Sequence, residues 1–244
     1  MRRDETTWFS HNLGAEMPLV AYGDKGFPLL MFPTAAADYL EYERFLLLDA
    51  IKPFIESGQI RAYSINSVNR YSLLNKQAHP AWKAELLTRY DRYITEEVLP
   101  LIRNECGQDA RPLTTGASLG ATLCANAYFK HPDLFRGTIA MSGSYDIRGF
   151  LDGYHDDNVY FNNPVEYLSN LNDDYFLPIL RKADSIFITT GSGAFEAPNR
   201  SRDISAIMHQ KGIPHVLDVW GADVRHDWEW WRVMLPYFLG KFLG

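Results

Sequence analysis

Apolar residues along this chain change their spacing repeatedly, and the changes divide it into alternating strands and helices. Period-two alternation and short β-branched or aromatic runs mark strands, whereas spacings of three and four mark helices. Trp8 to Tyr22 reads as a hairpin that turns through Leu13-Gly14-Ala15-Glu16. Phe27 to Phe32 is a continuous apolar run ending at Pro33, the pattern of a strand buried on both faces. Tyr39 to Ser57 reads as one helix closed by Gly58, and Ile60 to Ile65 as the following strand. A long amphipathic helix is predicted from Trp82 to Asn104, with Tyr90, Tyr93, Ile94, Val98, Leu101 and Ile102 on its apolar side. Pro112 to Thr115, Gly137 to Ser142, Ser185 to Thr190 and Val216 to Trp220 read as further strands. Helices are predicted from Ala121 to Phe129, Ser201 to Lys211 and Trp228 to Leu243. This alternation predicts a mainly parallel sheet with helices on both faces. Ligands of such sheets bind beyond the carboxyl ends of the strands.

Length and composition narrow the picture. A chain of 244 residues with 46% hydrophobic content suits one doubly covered sheet, so residues 1–244 are expected to form a single domain. The formal net charge of −6 and the scatter of Lys and Arg argue against a nucleic-acid partner. No stretch approaches the roughly 20 apolar residues of a membrane span. Asp4-Glu5 follows Arg2-Arg3 where a signal peptide would place its apolar segment. Cys106 and Cys124 lack metal or redox spacing. A cytoplasmic setting is therefore expected.

Three residues carry candidate chemistry. Gly116-Ala117-Ser118-Leu119-Gly120 lies between a strand and an Ala-rich helix, which is the setting of a G-x-S-x-G nucleophile elbow. Such a turn exposes the serine hydroxyl and keeps its flanking residues small, because backbone passes close by. His226 stands in the loop after the last strand, the place and chain order of a triad base. Of the seven histidines only His226 has both. The acid should follow the strand that ends at Thr190, and Glu196 is the first carboxylate there. Asp203 is the alternative, but it falls inside the next predicted helix. Asp184 precedes its strand, Asp218 lies within one, and Asp227 adjoins the base, so all three are poorly placed.

With these residues in view, the chain resembles the putative-esterase branch of the α/β-hydrolases, which includes esterase D-type enzymes, feruloyl and acetyl xylan esterases, and the mycolyltransferase antigens. Four stretches carry the resemblance: residues 29–34, 116–120, Met141-Ser142-Gly143-Ser144-Tyr145-Asp146, and His226-Asp227-Trp228-Glu229-Trp230-Trp231. The last is the most specific. A glutamate serves as triad acid in the equivalent loop of the mycolyltransferases, which the resemblance extends to Glu196. It implies an α/β-hydrolase fold and a serine esterase working through an acyl-enzyme on a small-molecule ester, with no metal or cofactor. An acyltransferase with the same triad, or a non-catalytic binding protein on the same fold, are the rival readings.

The backbone N–H groups of Leu119 and of Thr34 or Ala35 are the expected oxyanion donors. Residues 143–176 form a long excursion rich in Tyr and Phe, expected to act as a lid or pocket wall that favours neutral, partly apolar or sugar-like esters. Tyr39, Asn66, Tyr145, Tyr160, Phe161 and Trp228 are the candidate substrate contacts, and Ser67, Asn69 and Arg70 are candidates to line the cleft. Asp146, Asp152, Asp156 and Asp157 lack calcium-loop spacing and read as a solvated face.

Overall fold

A computed structural model describes residues 1–244. Its centre is one eight-stranded sheet: β1 (Arg3–Ser10), β2 (Ala15–Tyr22), β3 (Phe27–Phe32), β4 (Ile60–Ile65), β5 (Leu113–Ala117), β6 (Gly137–Met141), β7 (Ile186–Thr190) and β8 (Val216–Val219). The order across the sheet is β1-β2-β4-β3-β5-β6-β7-β8. The β1–β2 hairpin joins β4 antiparallel, and every other pairing is parallel.

The continuous apolar runs are explained by the pleat. Successive side chains point to opposite faces, so Leu30 and Phe32 enter one core while Leu29 and Met31 enter the other. On the first face lie α3 (Pro80–Tyr93), α4 (Leu99–Cys106), α5 (Leu119–Lys130), α6 (Asp157–Phe161), α7 (Pro164–Asn170), α8 (Phe176–Leu180) and α9 (Pro198–Gln210). The second face is covered by α1 (Glu41–Arg44), α2 (Leu47–Glu56) and α10 (Trp228–Leu243). No helix is long and apolar enough to cross a membrane.

The structure departs from the sequence pattern in four places. The hairpin begins at Arg3 instead of Trp8, because charged Arg3, Asp4 and Glu5 pair as an outer strand with one exposed row. The helix expected over residues 39–57 breaks at Leu46, whose left-handed φ of 58° separates α1 from α2. The helix expected over 82–104 starts at Pro80, with His79 Nδ1 accepting the Ala81 N–H, and widens into a π-turn at Ile94–Val98 before α4. That turn presents Glu97 to the hairpin, where it accepts Trp8 Nε1 (2.7 Å), Ser10 Oγ (2.8 Å) and the Asn12 N–H (3.2 Å). The helix expected from Ser201 starts three residues earlier, with Pro198 at its first position, where a missing N–H costs nothing.

The excursion after β6 is a packed layer. Tyr145, Ile147, Leu151, Val159, Tyr167 and Leu168 are buried in the first core. Two of its carboxylates are bound locally: Asp146 grips the Arg148 guanidinium, and Asp156 caps α6 through the Val159 N–H. Its apolar side chains are buried against α3, α5 and α9, which ties most of the segment to this side of the sheet.

Candidate active site

Ser118 sits between β5 and α5 with φ 56° and ψ −123°, a backbone region that L-residues rarely adopt. The neighbouring glycines make the turn possible. A Cβ on Gly116 would lie 2.4 Å from the Gly120 backbone, and one on Gly120 would lie 2.4 Å from the Phe32 carbonyl oxygen. The Ser118 N–H donates to the Met141 carbonyl, tying the elbow to β6. Its side chain is thereby lifted to the carboxyl edge of the sheet.

His226 follows β8 and is held from two sides. Its N–H donates to the Ala194 carbonyl, which couples its loop to the one after β7. Its ring packs edge-on against Trp231, with centroids 5.0 Å apart. Nε2 lies 2.9 Å from Ser118 Oγ, and Nδ1 lies 3.3 Å from Glu196 Oε2. These positions fit a tautomer in which Nδ1–H donates to the carboxylate and Nε2 accepts the serine proton. The Nδ1 contact is long, as such bonds often are before substrate binds.

Glu196 has a side chain only 1% exposed. Oε1 accepts the Ser142 hydroxyl at 2.6 Å, and Oε2 accepts Thr190 Oγ1 at 3.0 Å as well as His226. Burial alone would raise its pKa. The hydrogen bonds from His226, Ser142 and Thr190 together outweigh that and hold the carboxyl below its ordinary value. Ser142 also accepts from Trp231 Nε1 at 3.1 Å, so one serine connects the acid to the helix that follows the base. Ser142 lies in one of the stretches that carry the family resemblance, whereas Thr190 gave no signal.

None of the other carboxylates weighed from the sequence approaches His226. Asp203 lies exposed on α9, Asp184 pairs with Arg136, Asp227 caps α10, and Asp218 is paired in register with Thr189.

Two backbone N–H groups border Ser118. Leu119 is the first residue of α5, so its N–H has no intrahelical acceptor. After β3, the Thr34 N–H is already engaged: it donates to Glu41 Oε2 at 2.8 Å, and Thr34 Oγ1 donates to Oε1 at 2.5 Å. That removes Thr34 from the oxyanion candidates and leaves Ala35, whose N–H donates to no acceptor. The loop is braced from behind by Asn69 Nδ2 on the Thr34 carbonyl, Arg70 on that of Ala36 and Ser67 on that of Ala37. These three residues brace the loop after β3, and none of them lines the cavity that holds Ser118.

The cavity at Ser118 holds about 250 Å³ and is lined by Ser118, Glu196 and His226 together with Ala35, Leu119, Leu74, Phe150, Phe195 and Arg200. Ser144, Phe150 and Arg200 also border a larger, polar basin of about 690 Å³ that Asp203 lines. The six candidate substrate contacts lie elsewhere. The Tyr39 hydroxyl donates to Glu5, the Asn66 carbonyl accepts from Tyr90, and Trp228 stacks on Phe45 at 4.5 Å. Tyr145 is fully buried. Tyr160 and Phe161 border a separate groove beside Phe129 and Tyr167. Of the excursion's aromatics only Phe150 reaches this cavity, because Tyr145 and Tyr167 fill the core while Tyr160 and Phe161 face the separate groove. Leu74, Phe195 and Arg200 complete the lining, and isolated loop positions carry no periodic signal from which they could have been read.

A family model described as "Putative esterase" matches residues 65–242. Among solved structures, a ferulic acid esterase superposes with a TM-score of 0.76 at 20% identity, covering 100% of this chain and 98% of that one. An S-formylglutathione hydrolase from Agrobacterium tumefaciens gives 0.76 at 12% identity, covering 99% and 94%. MPT51 from Mycobacterium tuberculosis gives 0.73 at 14% identity, covering 100% and 98%. No match is found among curated protein sequences. The architecture shared with these structures is the α/β-hydrolase fold.

Proposed function

Because the chain belongs to the putative esterase family and is thus a carboxylic ester hydrolase, we propose that Ser118, His226 and Glu196 form its catalytic triad. The observation that carries this reading is the unbroken path from Ser118 Oγ to His226 Nε2 (2.9 Å) and from Nδ1 to the buried Glu196 carboxylate (3.3 Å). Ser118 Oγ attacks the ester carbonyl as His226 Nε2 takes its proton. The negative charge that builds on the carbonyl oxygen is met by the N–H groups of Leu119 and Ala35, at about 3–4 kcal/mol per donor. Collapse of the tetrahedral species breaks the bond to the alcohol, and His226 returns the proton to the departing oxygen. A water, deprotonated by the same imidazole, then attacks the acyl group, and Ser118 leaves as the free hydroxyl. Glu196 holds the imidazole in the tautomer this requires and offsets its positive charge.

The substrate is a small-molecule ester, and residues 1–244 act as one catalytic unit. A reducing, cytoplasmic setting suits the two free thiols, Cys106 and Cys124. Labelling by a small fluorophosphonate tests the triad directly. The wild type should be labelled at Ser118, and S118A should lose both labelling and ester turnover while remaining folded. Turnover that survives in S118A would falsify the reading.

A further inference from the structure

One residue in the cleft is explained neither by packing nor by backbone geometry. Phe195 is 92% exposed, more than any other large apolar side chain of the chain. It therefore contributes almost nothing to folding through burial. Its backbone is equally unexpected. The Glu196 N–H donates to the Gly193 carbonyl, closing a four-residue turn in which Phe195 is the third residue with φ 64°. Ala194 has no positive φ, so the turn is of the class that normally takes glycine or asparagine at that position. A phenyl ring here strains the backbone and faces water. Strain that persists at the edge of a cleft, beside a triad member, points to a use for the side chain.

Its position supplies one. Phe195 lines the cavity that holds Ser118, Glu196 and His226. The other apolar surfaces there are Ala35, Leu74, Leu119, Phe150 and Ala197, while the adjoining basin is bordered by Asp146, Arg148, Arg200 and Asp203. We propose that Phe195 is the apolar cover of the substrate site, closing over a bulky aryl or alkyl group next to the scissile ester and selecting for esters that carry one. The inference rests on the triad reading above and deepens it by naming the substrate class. Binding would bury a ring that the free protein leaves in water, so the gain falls on substrate affinity and hence on KM.

Three esters separate the outcomes: ethyl acetate, benzyl acetate with a bulky alcohol, and ethyl phenylacetate with a bulky acyl group. In Phe195→Gly, kcat/KM for at least one bulky ester, relative to ethyl acetate, should fall about five- to tenfold, chiefly through KM. Phe195→Leu should recover most of that ratio. The bulky ester that responds shows which side of the bond the ring covers. Glycine suits the turn, so the thermal midpoint should be retained. An unchanged ratio for both bulky esters overturns the inference. Fluorophosphonate labelling keeps this separate from the triad: wild-type labelling with flat selectivity overturns the role of Phe195 alone. Loss of labelling in Phe195→Gly would also overturn it, since the residue would then support Glu196 instead of substrate.

Discussion

The loops after β3 and β7 each lean on a buried glutamate, and the two glutamates have opposite electrostatics. Glu41 is 5% exposed and accepts two bonds from one neutral residue, Thr34. Burial dominates there and raises its pKa. Glu196 is buried too, yet its pKa is lowered, because the bonds from His226, Ser142 and Thr190 together exceed the burial penalty. The comparison separates two uses of the same side chain. A carboxylate beside an imidazole is kept ionised to hold a charge, whereas one beside neutral donors is a tether for backbone.

The comparison breaks first at Glu196. Glu196→Gln keeps the volume and removes the charge, so kcat should fall on the order of 10³–10⁴-fold, read from steady-state ester hydrolysis. Glu41→Gln should lower kcat about tenfold with little change in KM, since a looser Thr34 misplaces the Ala35 N–H without touching the nucleophile. An equal collapse in both variants would erase the distinction between charge holder and tether.

Stability should also respond to pH with opposite signs at the two sites. Glu196 has a folded pKa below its unfolded value, so its contribution is full above the unfolded value and is lost as pH falls through the folded one. For Glu41 the folded pKa is the higher of the two. Its contribution is present below the unfolded value and declines as pH rises through the folded one. Denaturant unfolding followed from below to above the ordinary carboxylate range should show the loss on acidification below that range flatten in Glu196→Gln, and the decline with rising pH above it flatten in Glu41→Gln.

The smallest effect is expected where neither loop is touched. Replacing Tyr160 and Phe161 by alanine should change relative kcat/KM across an ester panel less than about twofold, because their groove is separate from the cavity at Ser118. A large shift in selectivity would mean that the two spaces communicate.

Strong local rules made the sheet and the order of Ser118, Glu196 and His226 legible in the sequence. Apolar runs needed two cores, and a serine between two small residues needed a tight turn. What the sequence hid depended on direction. Tyr145 and Tyr160 look alike as letters, but one fills a core and the other borders a surface groove, and no spacing in an irregular segment says which. Asn69 and Arg70 are polar loop residues whose partners are backbone carbonyls some 34 to 35 positions away, a contact without a side-chain signature. Ser142 was visible only as part of a familiar stretch. Its bridge between Glu196 and Trp231 joins residues 54 and 89 positions away, which only the tertiary fold brings together. The break at Leu46 and the π-turn at 94–98 escaped notice because an apolar stripe survives a local change of helical pitch.

The two outermost strands set how the molecule meets its own copies. An open sheet ends in rows of unpaired N–H and C=O groups, which invite another chain to continue the ladder. On β1 the exposed positions include Arg3 and Glu5, and Arg3 forms ion pairs with both Glu5 and Glu43. A second molecule would have to displace these charges before pairing. At the far side β8 is only four residues long and carries Asp218. A charged edge on one side and a short, charged one on the other are poor templates, so strand addition at either margin of the sheet is disfavoured.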